Sequence, residues 1–333
     1  MSLSQFKTRI TTVSLFFSTV FTFFSCGNEV PIAADWQEKI VVYGLLDPED
    51  SVQYFRIEKA YLDPNTSALI TAKESDSLIL NPADVVLRLV KDTNVKFNFK
   101  RVNRMPKDSG LFGNDQNYLW KTTAPIIANE EYEIQVTSTK TGQRVWARTR
   151  TLSSANISAP VKSNANIFSL GTEYITFEWL PRANSYAYDI KLEVVYDEFP
   201  TKDTFNKKEH TLRWDVLTNY VVSPNKLATA RVPRLAFMQF LNSAMKADSS
   251  INRRIKYVNF LFYGGNQTLA DYISVNRPSI GIVQKTAEYT NINGGYGIFA
   301  SRCFQPIRQV RVSYGTIKVL QTNPETTGLR FVY

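Results

Sequence analysis

Apolar and polar residues follow two regimes along this chain. From Ile10 to Phe24 they form one uncharged run relieved only by Thr and Ser; from Lys39 onward they alternate in short segments of period two. Such alternation marks half-buried strands. KIVVYGLLD and QYFRIEKAYLD are the first two segments, separated by the turn cluster DPEDS, and the first is apolar on both faces as a central strand would be. ADVVLRLVKD, KFNFKRV, YLWKTTAP and EYEIQVTSTKTGQRVWARTRTL follow. In the last of these Tyr132, Ile134 and Val136 share a face, and TKTGQ supplies a Gly-bearing hairpin turn before Val145 and Ala147 resume. Strands spaced this way, rich in β-branched and aromatic residues, predict a β-sandwich. The mature chain of about 300 residues is longer than a single core usually supports. The expected fold is therefore mainly β, with two β-sandwich-like domains at 39–152 and 167–333. The polar, Pro-containing, non-periodic stretch 153–166 is the expected linker.

The second domain opens with EYITFEWLPRANSYAYDIKLEVVYDE. Ile175, Phe177 and Trp179 alternate, a Pro-containing turn follows, and Tyr186, Tyr188, Ile190, Leu192 and Val194 alternate again. This stretch of about 25 residues resembles the B and C strands of fibronectin type III modules. The resemblance implies a buried Trp packed across the sandwich against a Tyr-rich next strand. VPRLAFMQFLNSAMKA then places Leu235, Met238, Leu241 and Met245 at helical spacing, which predicts an amphipathic helix inserted on the sheet. RRIKYVNFLFYGG returns to alternation, with Ile255, Tyr257, Asn259, Leu261 and Tyr263 expected on one face.

The apolar run at the start is too short for a membrane span of roughly 20 residues. With Lys7 and Arg9 before it, it fits a signal peptide over residues 1–25. The run ends in Phe23, Phe24, Ser25, Cys26, and a small residue just before a Cys is what a lipoprotein signal peptidase requires. Cys26 is then the lipidation site, and residues 26–38 are a polar tether. Several acyl chains on one residue make a stable anchor, since each buried methylene contributes about 0.8 kcal/mol. The competing reading is a secreted protein cut near Ser25 with Cys26 as an ordinary thiol. Only Cys303 remains as a partner, and an exported chain that relied on disulfides would carry more. With Cys26 lipidated, Cys303 is a lone thiol packed as a small hydrophobe.

The most specific stretch is YTNINGGYGIFASRC, residues 289–303. Gly294, Gly295 and Gly297 serve backbone conformations or a close approach that side chains would block. A phosphate-cradling loop lacks its following Lys and Ser or Thr here, and strand-like residues follow. Together with VVYGLLDPEDSVQYFRIEKAYLD and the lipobox, this stretch resembles the Bacteroidota lipoprotein family labelled domain of unknown function 4249. That family carries an Asn-Ile-x-x-Gly-x-Gly-x-Phe motif near its C-terminus, matched by Asn291, Ile292, Gly295, Gly297 and Phe299. The resemblance implies an outer-membrane lipoprotein, often encoded beside TonB-dependent receptor barrels, and supplies no catalytic residues. GNEV after the Cys lacks the acidic cluster that often sends such lipoproteins to the surface, which leaves the periplasmic and surface faces both open.

Catalytic chemistry is limited by inventory. His210 is the one histidine, so a His-rich metal site is impossible; a surface role in the charged loop FNKKEHTLRW is expected for it. Glu178, Asp47, Glu49 and Asp50 are the carboxylates worth weighing. Those of DPED are expected to be solvated, with a calcium ion as the competing reading. No catalytic residue, metal or cofactor is expected. Removing Lys7 and Arg9 from a formal charge of +9 leaves +7. The densest basic groups are KFNFKRVNRMPK, with Phe97 and Phe99 between cations, and INRRIKY. A nucleic acid is not expected as partner in this compartment; the charge suits lipid phosphates or an acidic surface, if it is more than a solvated edge. Two functions follow. One is a non-catalytic accessory subunit docking on an outer-membrane barrel, which calls for a large exposed apolar patch. The alternative is a glycan- or peptide-binding lipoprotein, which calls for a concave groove lined by aromatic side chains. The burial of Trp120, Trp146 and Trp214 bears on the choice.

Overall fold

The computed structural model describes residues 39–60, 78–103, 105, 117–161, 166–276 and 289–333. The expected signal segment, Cys26 and the expected tether lie outside the described residues. Residues Glu38–Tyr333 form one compact unit. Its first half carries β1 (Lys39–Leu46), β2 (Gln53–Ala60), β3 (Ala83–Leu89), β4 (Asp92–Asn98), β5 (Lys100–Val102), β6 (Leu119–Thr122), β7 (Glu131–Ser138) and β8 (Arg144–Arg150). The second carries β9 (Asn156–Ala159), β10 (Ile167–Phe168), β11 (Tyr174–Leu180), β12 (Ala187–Pro200), β13 (Lys208–Val221), β14 (Ala228–Pro233) and α1 (Arg234–Ala244). Then come β15 (Ile251–Gly265), α2 (Gln267–Val275), β16 (Tyr296–Val312) and α3 (Tyr314–Thr322).

The chain is mainly β and sandwich-like, built on one long sheet in the order β13-β12-β15-β16-β1-β2-β6-β5, with β10 added on β16. Two smaller sheets, β4-β3-β7-β8 and β14-β11-β9, supply the second layers. Ile40, Val42, Phe55 and Ile57 of the long sheet share a core with Val85, Leu87, Ile134 and Val136 of the four-stranded one. Tyr188, Ile190, Phe260 and Phe262 share another with Ile175, Phe177 and Trp179 of the three-stranded one. The core thus changes near the expected linker, while the long sheet runs through: β1 pairs in parallel with β16, from Val41 opposite Tyr296 to Leu46 opposite Ser301. The stretch 153–166 is not wholly irregular either, because Asn156–Ala159 forms β9 and pairs with β11.

Local expectations meet the tertiary structure at particular residues. Trp179 is fully buried and packs across the sandwich on Tyr188, ring centroids 5.6 Å apart. The 138–143 turn closes with Gly142 at φ +74°, as a hairpin glycine should. Helix α1 buries Phe237, Met238 and Leu241, whereas Leu235, expected on the same face, is exposed. Helices α2 and α3 join it, where a single helix was expected. In β15 the face assignment needs a correction for Ile255. Tyr196 pairs with Ile255 and Val195 with Tyr257, so Lys256 is an extra residue. A bulge of this kind inverts side-chain parity. Ile255 therefore packs with the core set of Val258, Phe260 and Phe262, and Tyr257, Asn259, Leu261 and Tyr263 face the other way. Phe99, expected between cations, is buried against Phe55 at 4.6 Å, so it supplies no exposed stacking surface.

Candidate functional site

The residues 291–299 form a structural clamp. The Asn291 side chain donates from Nδ2 to the Phe299 carbonyl at 2.7 Å and accepts the Phe299 N–H through Oδ1 at 2.9 Å. One amide thus satisfies both backbone groups of a residue at the start of β16. Asn293 continues the tie by exchanging backbone hydrogen bonds with Trp146 at 2.8 and 3.3 Å. Ile292 and Phe299 are buried in the first core, Phe299 edge-on to Phe55. Gly295 and Gly297 let β16 approach β1: a Cβ on Gly295 would stand 2.5 Å from the Ile40 carbonyl oxygen, and one on Gly297 would overlap that of Val42. The motif ties β16 to β1 and β8, and the Asn291, Ile292 and Phe299 side chains are committed within the fold.

The open face of the long sheet is different. Alternation that sends Val42, Phe55 and Phe299 into the core sends Tyr43, Leu45, Tyr54, Arg56 and Ile298 to the other side. Helix α2 lies on this face, begun by Asn266, whose Oδ1 accepts from Leu269 N–H and whose Nδ2 donates to Thr149 Oγ1 at 2.9 Å. Between α2 and the strands is a cleft of about 390 Å3 whose wall includes Tyr43, Tyr54, Arg56, Tyr272, Ile273 and Arg302. A second, of about 380 Å3, continues past Arg302 toward Tyr263, Lys191 and Arg213. Leu45, Leu269, Ile273 and Arg302 line both. Tyr43 and Tyr54 are 39% and 40% exposed, with Lys121 Nζ over the Tyr54 ring at 5.9 Å. Burial pushes the Tyr43 phenol above its ordinary value, and neighbouring Tyr272 adds to the shift. Arg56 is held by Glu58 at 3.1 Å and Asn117 at 2.7 Å. Sequence reasoning passed over these side chains. Their signal was Tyr43 in a strand apolar on both faces, and Tyr54 and Arg56 at the outward positions of β2.

Arg302 is anchored by the DPED turn, and here an expectation is reversed. Asp47 is fully buried rather than solvated; its backbone N–H donates to Gln53 Oε1 at 3.0 Å and its Oδ1 accepts from Glu49 N–H. Arg302 Nε stands 3.5 Å from Asp47 Oδ2, and Arg302 Nη2 3.2 Å from Asp50 Oδ2. The turn faces a guanidinium, and among the described residues no cluster of three or more His, Cys, Asp or Glu groups is placed to hold a metal. Burial pushes the Asp47 pKa up to about 6, with Arg302 opposing it. A carboxyl raised in the folded state stabilises most when protonated, below its unfolded pKa of about 3.9, and that contribution is lost as pH rises through about 6. Relative to Asp47→Asn, the wild type is therefore expected to lose up to about 3 kcal/mol between pH 4 and pH 7. Urea denaturation of both proteins across that range measures it; parallel curves would refute the burial argument.

The remaining candidates fall elsewhere. His210 lies within β13 rather than in a loop, stacked on Tyr196 and 3.4 Å from Glu198 Oε2. Glu178 accepts a hydrogen bond from Ser158 Oγ at 2.6 Å. Cys303 is a buried free thiol, its pKa pushed to about 12 by burial. Of the three tryptophans, Trp120 is buried, Trp214 is half-buried on Phe240, and Trp146 is 39% exposed under Arg148. No helix among the described residues is long and apolar enough to cross a membrane.

No family model matches the chain, and no curated protein matches it. Among solved structures, the chain is similar to the C-terminal globular domain of oligosaccharyltransferase from Pyrococcus abyssi, at 9% identity and a TM-score of 0.23. That match covers 69% of this chain and 48% of the other, so the chain spans about half the length of the protein it matches. At this level the likeness carries no argument about function.

Proposed function

We propose that this protein is a non-catalytic binding lipoprotein of the bacterial outer membrane, anchored through Cys26, which takes a peptide segment into the cleft beside α2. The observation that carries the reading is the cleft itself: exposed Tyr43 and Tyr54 rings with Tyr272 over an aliphatic lining, flanked by Arg56 and Arg302. Such a site, mostly apolar with a few placed polar groups, is what small-ligand recognition requires. The lining of Leu45, Leu119, Leu269, Ile273 and Ile298 favours an apolar peptide side chain over a sugar covered with hydroxyls. Anchorage and compartment rest on the apolar run 10–24 and on Ser25-Cys26. The accessory role on a barrel draws less support: exposed large apolar residues such as Ile127, Phe205, Leu227 and Tyr314 sit on different elements of the fold.

Full-length protein in neutral detergent, screened against arrays of defined peptides and defined oligosaccharides, tests the reading. Peptide binding is expected to weaken roughly tenfold or more in Tyr43→Ala and Tyr54→Ala, the loss of one well-packed aromatic contact. Binding of oligosaccharides alone, lost in the same variants, would replace the peptide with a glycan. Ligands indifferent to both substitutions would remove the cleft from the function. A barrel co-purified from native membranes by the wild type and lost by Cys26→Ala would restore the accessory role.

A further inference from the structure

The outward face of the four-stranded sheet is organised in rows by its register. Lys96 on β4 lies opposite Arg88 on β3, Arg88 opposite Glu133 on β7, and Glu133 opposite Arg148 on β8. One row therefore carries three cations and one carboxylate across four neighbouring strands. Glu133 is already committed: its Oε2 accepts from Arg148 Nε at 2.9 Å, and its Oε1 stands 3.9 Å from Arg88 Nη1. Arg88 Nε is enclosed and has no acceptor among the described residues. Lys96 is exposed on the edge strand directly beside Arg88, and like charges placed opposite each other destabilise a sheet. Asp92 at the start of β4 adds a carboxylate whose Oδ1 accepts from Asn94 N–H at 3.1 Å. In the adjacent rows Glu131 faces Arg150 on one side, and Val86, Gln135 and Trp146 are uncharged on the other. Arg88, Lys96, Glu133 and Arg148 line a cleft of about 300 Å3 to which Thr93 and Asn94 contribute a hydroxyl and an amide.

We propose that this row is a binding site for a phosphate group, carried on a lipid headgroup or free in solution. A phosphate monoester accepts several charge-assisted hydrogen bonds at once, and guanidinium groups match its geometry. Its negative charge would offset the surplus of the row and turn the repulsion between Lys96 and Arg88 into a shared attraction. The site is on a different sheet from the cleft beside α2 and stands whether or not that cleft binds a peptide. It also gives a definite place to part of the basic stretch KFNFKRV, whose Lys96 is the outermost member of the row.

Thermal unfolding of the full-length protein in neutral detergent tests the proposal, with sodium phosphate replacing sodium chloride at constant ionic strength so that screening is held fixed. Phosphate is expected to raise the midpoint of the wild type. Its Kd, read from that shift, is expected to weaken roughly tenfold in Arg88→Gln and in Lys96→Gln, and to stay unchanged in Lys256→Gln on the long sheet. Without phosphate, Lys96→Gln is expected to melt no lower than the wild type, since it removes a repulsion; a lost response in that variant then reports binding and not folding. A wild type indifferent to phosphate, or a response that survives both substitutions, overturns the site. Short-chain phosphatidic acid separates the sources: tighter binding than inorganic phosphate assigns the site to a lipid headgroup, weaker binding to the free anion, and either upholds it.

Discussion

Gly297→Val is expected to remove a large share of the protein's stability. Gly297 sits at φ +100°, a conformation a β-branched residue does not tolerate. A Cβ there overlaps the Val42 carbonyl oxygen and comes within 2.9 Å of its carbon. The obstacle is backbone in a central strand, so neither partner can turn away as a flexible side chain would. Strain and overlap together are expected to cost at least about 4 kcal/mol, a large share of the 5–15 kcal/mol by which domains are stable. Gly142→Ala is the control, at a similar positive φ but with no atom within 4 Å of the added Cβ; it is expected to cost about 1–2 kcal/mol. Circular dichroism with thermal melting distinguishes the two. A cooperative transition for Gly297→Val within a few degrees of the wild type would show that the β1–β16 junction yields more easily than its geometry implies.

Trp179→Ala is expected to cost about 3–5 kcal/mol, the range for removing a buried aromatic side chain. Trp179 stands at the centre of the second core, with ring centroids 5.6 Å from Tyr188, 5.6 Å from Tyr220 and 6.0 Å from Phe262. These neighbours come from β12, β13 and β15 in the opposite layer, so the cavity would open between the two sheets. Trp179→Phe keeps most of the apolar volume and is expected to cost markedly less. Urea unfolding of the three proteins gives the comparison. A loss below about 1 kcal/mol for the alanine variant would mean that the layers close over the gap, and that the Trp does not hold them together.

Much of the strand structure was legible because alternation reports which side of a strand is dry. Tyr132, Ile134 and Val136 are buried on one face of β7 as expected, and Trp179 and Tyr188 meet across the sandwich. Period-two reasoning failed where one residue broke the count, at the Lys256 bulge. It also failed to say which turns would be covered. Asp47 reads as a solvated turn residue until Arg302, 255 positions away, comes to lie beside it. The candidate cleft was illegible for the same reason: Tyr43, Tyr54, Tyr272 and Arg302 belong to four elements, and no spacing along the chain announces their meeting.

The sequence by itself determined the strand-rich class, the buried face of many strands, the hairpin at Gly142 and the glycine requirement of residues 294–297. These are local properties, set by side-chain periodicity and by the positive φ of Gly142, Gly294 and Gly297; the carbonyls that exclude a Cβ at Gly295 and Gly297 come from Ile40 and Val42 of β1. Only the tertiary structure decided that β1 lies beside β16, that two cores share one continuous sheet, and that the charged row and the aromatic cleft occupy the outward faces of different sheets. Pairing strands from opposite ends of the chain depends on which edges, volumes and hydrogen-bonding groups are left over once every local element has formed. That competition is settled only when the whole chain has folded.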